Sequence, residues 1–247
     1  MQKIVVLGAL SAVAQQVERQ MAQHRMELLL VGRSMQRLQI LRQDLLLRGA
    51  RQVEVFAADL AQLQQHPSVL AYVREKMPEM DTLLLAYGSL LDTEKAQRQE
   101  AMVVQQIFND CISAAALLTS FAEDFEARRR GCIAAITSVA GDRGRASNYV
   151  YGAAKGGLAI FLSGLRARLY PCGVRVLTIK PGPIDTPMTA HLPQHARFAQ
   201  PELVARDIFK ALQRRRPDVL YTPFYWAWIM RLIRVMPESW FKRLPEI

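Results

Sequence analysis

Cysteine is scarce in this chain: Cys111, Cys132 and Cys172 are three in 247 residues, odd in number and without C-x-x-C spacing. That excludes a disulfide framework, and a chain of this length buries roughly 70–75% of its extended surface and needs no staples. A reduced compartment, the cytoplasm, fits best, with thiols that fill space. No leader is expected either, since Met1-Gln2-Lys3 runs straight into the strand-length Ile4-Val5-Val6-Leu7-Gly8. A membrane-spanning helix takes about 20 apolar residues, and Phe224 to Met230, the longest comparable run, is far shorter. A non-spanning protein is therefore expected. His24, His66, His191 and His195 give no H-x-x-x-H on a helix, because the one i, i+4 pair, His191 and His195, lies among prolines. No metal site is expected. The 13 glycines and 12 prolines follow no period and gather in no linker, which removes collagen-like and repeat architectures and leaves one domain over residues 1–247.

Hydrophobic residues make up 51% and charged residues 22%, the composition of a packed globular chain. The net charge of +10 is lopsided: residues 1–125 hold 12 basic and 14 acidic groups, and residues 126–247 hold 20 and 8. The balance suits an anionic partner or a solvated basic face, and charge alone does not choose. Arg128-Arg129-Arg130 has no interleaved aromatics for stacking bases, so nucleic acid is not an expected partner.

Short apolar runs alternate with helical patterns from the start. Strands are expected at Ile4–Leu7, Glu27–Val31, Val53–Ala57, Thr82–Ala86, Cys132–Thr137, Val174–Ile179 and Val219–Tyr221. Between them, Val13, Val17 and Met21, then Leu38, Leu41 and Leu45, then Ile107, Cys111, Ala114 and Leu118 recur at helical spacing. Wholly apolar strands separated by helices predict an α/β fold: a Rossmann-type, doubly wound, mostly parallel seven-stranded sheet with helices on both faces. Two segments break the rhythm. The proline-broken stretch at about 183–201 reads as a lid, and residues 222–247, which hold all three tryptophans, form an aromatic and basic tail.

Chemistry gathers at the strand ends. The first strand turns through Gly8-Ala9-Leu10-Ser11-Ala12-Val13-Ala14 into a helix, the place where a doubly wound sheet seats a pyrophosphate. One glycine alone makes a weak signal, and an ordinary strand–helix turn reads equally well. The second strand ends Val31-Gly32-Arg33-Ser34 with no acid for a ribose 2′-hydroxyl. Arg33 can pair with a 2′-phosphate, Ser34 can add a hydroxyl, and Arg37 lies one turn on; a solvent-facing arginine is the plain alternative. Asp59 closes the third strand, as an acceptor for an adenine amino group or as an N-cap. Ser138 ends the fifth strand, Tyr151 follows, and Lys155 sits one helical turn beyond it. A phenol ordinarily titrates near pH 10, and a neighbouring cation favours the phenolate, which is expected to draw it toward working pH.

In the order and spacing of these motifs the chain resembles the short-chain dehydrogenase/reductase family over essentially its whole length. The matching residues are Gly8–Ala14, Asp59-Leu60, Gly88, Asn109, the set Ser138, Tyr151 and Lys155, and Pro181-Gly182-Pro183-Ile184-Asp185-Thr186. The resemblance implies NAD(P)-dependent oxidation or reduction of a carbonyl/alcohol pair, and Arg33 with no acid beside it sets the expectation of NADP(H). Tyr151 would exchange the proton, Lys155 would tune it and hold the nicotinamide ribose, Ser138 would orient the oxygen, and Asn109 would support a water-linked proton path. It further implies cofactor contacts at Gly8, Leu10, Ser11, Ala12, Val13, Arg33, Ser34, Asp59, Leu60, Ala86, Tyr87, Gly88, Pro181, Gly182, Ile184 and Thr186, and a homo-oligomer. Two departures stand out: alanines replace the later glycines of the first turn, and Leu85-Ala86-Tyr87-Gly88 replaces the family's Asn-Asn-Ala-Gly. The first turn, Lys180-Pro181-Gly182 and the tail are similar to a narrower bacterial subgroup that includes reductases of a polyprenyl-phosphate-linked 2-keto-pentose. A catalytically silent, cofactor-binding redox sensor on the same scaffold is the rival reading.

In the tail, Ala227, Arg231, Arg234 and Glu238 form a polar stripe, while Trp226, Ile229 and Ile233, flanked by Trp228, Leu232 and Val235, form a broad apolar surface. Such a helix can cover the pocket, meet another subunit or lie on a membrane surface.

Overall fold

The computed structural model describes residues 2–190, 198–214 and 217–243. His191, Pro193 and His195 of the expected lid, and the last four residues of the expected tail, lie outside the described residues.

The strands are β1 (Lys3–Leu7), β2 (Glu27–Gly32), β3 (Gln52–Ala57), β4 (Thr82–Leu85), β5 (Cys132–Ile136), β6 (Arg175–Pro181) and β7 (Val219–Thr222). They form one sheet in the order β3-β2-β1-β4-β5-β6-β7. Every neighbouring pair is parallel, β7 included, so the expected mostly parallel sheet is wholly so. Side chains alternate along each strand. Ile4, Val6, Leu28 and Leu30 join one core with α1 (Ala12–Gln23), α2 (Met35–Leu47) and α8 (Pro201–Gln213). Val5, Leu7, Leu29 and Val31 join the other with α3 (His66–Lys76), α6 (Ser113–Arg128) and α7 (Tyr149–Leu169). Both faces are covered, which is why these strands read as unbroken apolar runs.

Two short helices, α4 (Thr93–Ala96) and α5 (Glu100–Ile107), lead into α6 through a π turn, Phe108–Ile112. The continuous helical stretch Glu100–Arg128 is long and apolar enough to cross a bilayer by length and composition. Leu117, Leu118, Phe121 and Phe125 of that stretch are nonetheless fully buried in the sheet's second core. After β7 come α9 (Tyr225–Val235) and α10 (Glu238–Phe241), separated by Pro237. The strand order reverses at β1, which pairs with β2 on one side and β4 on the other. In such sheets the crevice beyond the carboxyl ends at this point receives the ligand.

Candidate active site

Gly8 leaves β1 with φ +87°, and a Cβ there would lie 2.5 Å from the Tyr87 backbone nitrogen, so only glycine makes this turn. The N–H groups of Gly8 and Ala9 both donate to the Val31 carbonyl, at 2.9 and 3.0 Å. Ser11 caps α1, its Oγ accepting from the Ala14 N–H at 3.2 Å. Among the described residues the N–H groups of Leu10, Ala12 and Val13 find no acceptor. Free amides at the first turn of a 12-residue helix make a seat for an anion.

Around that seat, Arg33 is exposed at the end of β2. Ser34 caps α2, its Oγ accepting from the Arg37 N–H at 3.4 Å, which leaves the hydroxyl proton free to donate. Asp59 is not the cap of α3, which begins at His66; its Oδ1 accepts from the Ala61 N–H at 3.1 Å and closes a turn. Leu60 is buried in the core, and its carbonyl accepts from His66 and Ser113. The Ala86 N–H donates to the Leu7 carbonyl at 2.7 Å. The Tyr87 hydroxyl lies 3.0 Å from Ser113 Oγ, and thus a phenol anchors β4 to α6 where the family's amides are missing. Burial pushes the Tyr87 hydroxyl well above the usual phenol range.

Ser138 stands at the start of a short turn, Val139–Asp142, its Oγ accepting from the Ala140 N–H at 3.1 Å. This turn lies flush on α7: a Cβ at Gly156 would sit 2.8 Å from the Gly141 carbonyl oxygen. The close approach brings the Ser138 hydroxyl to the Tyr151 side, near enough to pull the phenol down. The Lys155 ammonium lies 5.8 Å from the Tyr151 ring centre. On its other side is Asp110, with Nζ 3.7 Å from Oδ2 and both side chains buried.

Asp110 is a residue that sequence reasoning missed. The family resemblance points to Asn109, yet Asn109 is only half-buried and its side chain makes no hydrogen bond among the described residues. The π turn at Phe108–Ile112 carries an extra residue per turn, and it is Asp110 that reaches Lys155. Its carboxylate also accepts from the Ser89 N–H at 2.8 Å, the Ser89 hydroxyl at 3.1 Å and Gln106 Nε2 at 2.8 Å. Gln106 in turn accepts from the Leu91 N–H, so this pair ties down the segment after β4. The available signal was a Gln and an Asp at i, i+4, Gln106 and Asp110.

These charges decide the direction of each titration. Burial raises the Asp110 carboxyl above its usual range, against the pull of Lys155 and the Ser89 hydrogen bonds. Burial works to lower Lys155, but Asp110 first and Tyr151 next outweigh it and hold the ammonium above its ordinary value. The Tyr151 phenol is raised by burial and by the Asp110 charge, although Lys155 and the Ser138 hydrogen bond pull it down. The expectation of a lowered phenol is thus reversed, because burial outweighs the cation and the Asp110 charge adds to it.

At the end of β6, the Gly182 N–H donates to the Thr222 carbonyl at 3.0 Å. Ile184 bridges to Ala199, and the Thr186 N–H donates to Thr189 Oγ1 at 3.1 Å. Pro181 and Ile184 are buried there, so the described parts of the lid are pinned at both ends. The tail closes the other side. Trp226, Met230 and Ile233 form a small core with Val139, next to Ser138. Trp226 lies against Gly182. Arg143 donates to the carbonyls of Ile233 and Met236 at 2.5 and 2.6 Å, and pairs with Glu238 at 2.7 Å. Glu238 therefore belongs to a separate short helix and not to the polar stripe of α9. Lys180 pairs with Asp142, which also accepts from the Tyr221 hydroxyl at 2.7 Å. Among the described residues no three His, Cys, Asp or Glu side chains meet as a metal site.

The family model for short chain dehydrogenases matches residues 2–197. The chain belongs to this family. An uncharacterized oxidoreductase of Mycobacterium tuberculosis, Rv2073c, is 31% identical over 244 residues, which cover 98% of this chain and 97% of the relative. A ketoacyl reductase of Nostoc, HetN, is 33% identical over 125 residues, 47% of this chain and 43% of its own. A short-chain dehydrogenase from Sphingobium yanoikuyae in complex with NADPH has the same fold, with TM-score 0.83 and 20% identity over 97% of this chain and 98% of its own. A variant of actinorhodin polyketide ketoreductase with NADPH gives 0.78 and 18% over 90% and 95%. As a short-chain dehydrogenase the chain is an oxidoreductase that takes a nicotinamide cofactor, and α8 to α10 lie beyond the matched residues.

Proposed function

We propose that this short-chain dehydrogenase is an NADP(H)-dependent enzyme that interconverts a ketone and a secondary alcohol, with Tyr151 as general acid and base. The observation that carries the reading is the meeting of Ser138, Tyr151 and Lys155 beyond β5, beside a helix start with free amides. A nicotinamide, when bound, supplies or accepts the hydride. Gly8, Leu10, Ser11, Ala12 and Val13 would hold its pyrophosphate, and Arg33 with Ser34 a 2′-phosphate. Asp59 and Leu60 would meet the adenine, and Ala86, Tyr87, Gly88, Pro181, Gly182, Ile184 and Thr186 would line the rest. Tyr151 gives its proton to the carbonyl oxygen in reduction and takes it back in oxidation, while Ser138 holds that oxygen beside the phenol. Lys155 holds the ribose and balances the phenolate charge, Asp110 pairs with Lys155 from behind, and Asn109 would support a water-linked proton path.

The substrate we place among hydrophobic carbonyl compounds, a lipid-linked keto-sugar included. Support comes from the apolar cluster of Val139, Trp226 and Met230 at the serine turn and from the likeness of the tail to the narrower subgroup. We place the enzyme in the cytoplasm as a homo-oligomer. Its subunit contact would be the α6–α7 face, where Ile112 and Ile160 are exposed beside a shallow cavity of about 290 Å³ lined by Thr119, Phe161 and Leu165.

A panel of ketones and alcohols followed by NADPH absorbance tests the reading. Tyr151→Phe is expected to lower turnover by about 10²–10⁴-fold and to leave cofactor binding intact. Turnover near the wild-type rate overturns the mechanism, and a wild type that binds NADPH yet turns over nothing favours the redox sensor.

A further inference from the structure

The two sides of α9 have different fates. At about 100° per residue, Trp226, Met230 and Ile233 lie together on the side docked against Val139. Phe224, Trp228, Leu232 and Val235 fall within an arc of about 80° on the opposite side. They are 76%, 68%, 64% and 74% exposed, and Trp240 of α10 adds another apolar group at 67%. The helix cannot roll to hide them. Arg143 grips the carbonyls of Ile233 and Met236, its guanidinium lies 3.9 Å from the Phe241 ring centre, and Trp226 is wedged against Gly182.

Arg231 and Arg234 border the apolar stripe, and both are exposed. With Tyr221, Ala227 and Val235 they line an open cleft of about 450 Å³ between β7 and α9, roomy enough for a phosphate headgroup. Lys242 and Arg243 follow Trp240. The one acid among described residues 222–243 is Glu238, already paired with Arg143.

We propose that the outward side of α9 and α10 docks on an anionic lipid bilayer, with Phe224, Trp228, Leu232, Val235 and Trp240 set into it and Arg231 and Arg234 among the headgroups. Exposed aromatics flanked by basic groups on one helix face suit the interfacial zone, where the ring is half-dry and the cation meets lipid phosphate. A second copy of the chain is the poorer occupant. Twofold pairing would set Arg231 and Arg234 near their own copies with no free acid among the described residues of the face to offset them. The surface lies behind the turn that carries Ser138, so docking would bring the active site to the membrane. The inference rests on this surface alone and stands whether or not the enzyme reduces ketones.

The test is flotation of the full chain with vesicles of equal parts phosphatidylglycerol and phosphatidylcholine, or of phosphatidylcholine alone, at low and high salt. Binding is expected on the mixed vesicles at low salt, and weaker by about tenfold or more on the neutral vesicles or at high salt. Trp228→Glu and Leu232→Glu are each expected to weaken binding by a similar factor, with circular dichroism and NADPH affinity unchanged. Should either misfold, the exposed pair Arg231→Gln and Arg234→Gln carries the same expectation. No binding of the full chain to mixed vesicles at low salt overturns the proposal, as does binding that these substitutions leave intact. A dimer in light scattering that Leu232→Glu dissociates, without vesicle binding, gives the face to a second copy instead.

Discussion

In the proposed reading Arg33 meets the 2′ position of the dinucleotide, and its exposed guanidinium can form an ion pair with a 2′-phosphate but not with a 2′-hydroxyl. A charge-assisted pair exceeds a neutral hydrogen bond of ~1 kcal/mol, so Arg33→Ala is expected to cut the preference for NADPH over NADH by about tenfold or more. The two dissociation constants, measured by fluorescence titration on wild type and variant, check it, and equal constants in the wild type would refute the role. Asp110 acts on Tyr151 at one remove. Its charge helps to hold the phenol above the ordinary range, so Asp110→Asn is expected to move Tyr151 ionisation to lower pH. Tyrosinate absorbance, recorded as a difference against Tyr151→Phe, reads this shift directly, and a titration that does not move removes Asp110 from the proton chemistry. Arg33 is exposed and its loss leaves the fold intact, whereas Asp110→Asn removes the charge partner of buried Lys155, so circular dichroism accompanies that titration.

Among the elements, the central strands were legible because burial on both faces leaves Ile4–Leu7 and Leu28–Val31 as unbroken apolar runs. Expected Thr82–Ala86 is observed as Thr82–Leu85, and expected Glu27–Val31 as Glu27–Gly32, differences that lie in fraying ends. The π turn was not legible. An extra residue in one helical turn leaves the apolar period almost unchanged, yet it exchanges Asn109 for Asp110 at Lys155. Nor could the pattern say which side of α9 docks, because Trp226 and Trp228 are equally apolar and only the shape of the Gly182 turn selects between them. The contact of the serine turn with α7 was visible only as a run of small residues, and its meaning is steric. Gly156→Val would drive its side chain into the Gly141 carbonyl, with an overpacking cost of about 1–3 kcal/mol. Such a variant is expected to melt earlier and to lose turnover out of proportion, because Ser138 is displaced from Tyr151. Parallel measurements of melting and turnover check this, and proportionate losses would reduce the contact to a structural one.

For the molecule as a whole, Glu18 is a built-in burden. It is fully buried in α1, and neither carboxylate oxygen has a hydrogen-bond partner among the described residues. Burial raises its pKa well above 4.5, against the pull of Arg19. The folded chain thus binds this proton more tightly than the unfolded one, and stability falls as pH rises from 4.5 through the folded value. An unsatisfied buried polar group costs about 1–3 kcal/mol. Glu18→Met, close in shape, is expected to raise the melting temperature by about 2–10 °C, more at pH 8 than at pH 5. Thermal denaturation at both values tests it, and an equal gain at the two would show that the carboxylate charge is not the cause. The strand order has its own consequence, and it is one of timing. β1 finds its second neighbour only when β4 appears, Ile4 pairing with Thr82 across 78 positions. At synthesis rates of about 5–20 residues per second, that edge of β1 stays open for roughly 4–16 s. During that interval the nascent chain carries Ile4–Leu7 as an unpaired apolar edge, the kind of surface that recruits a neighbouring chain or a chaperone.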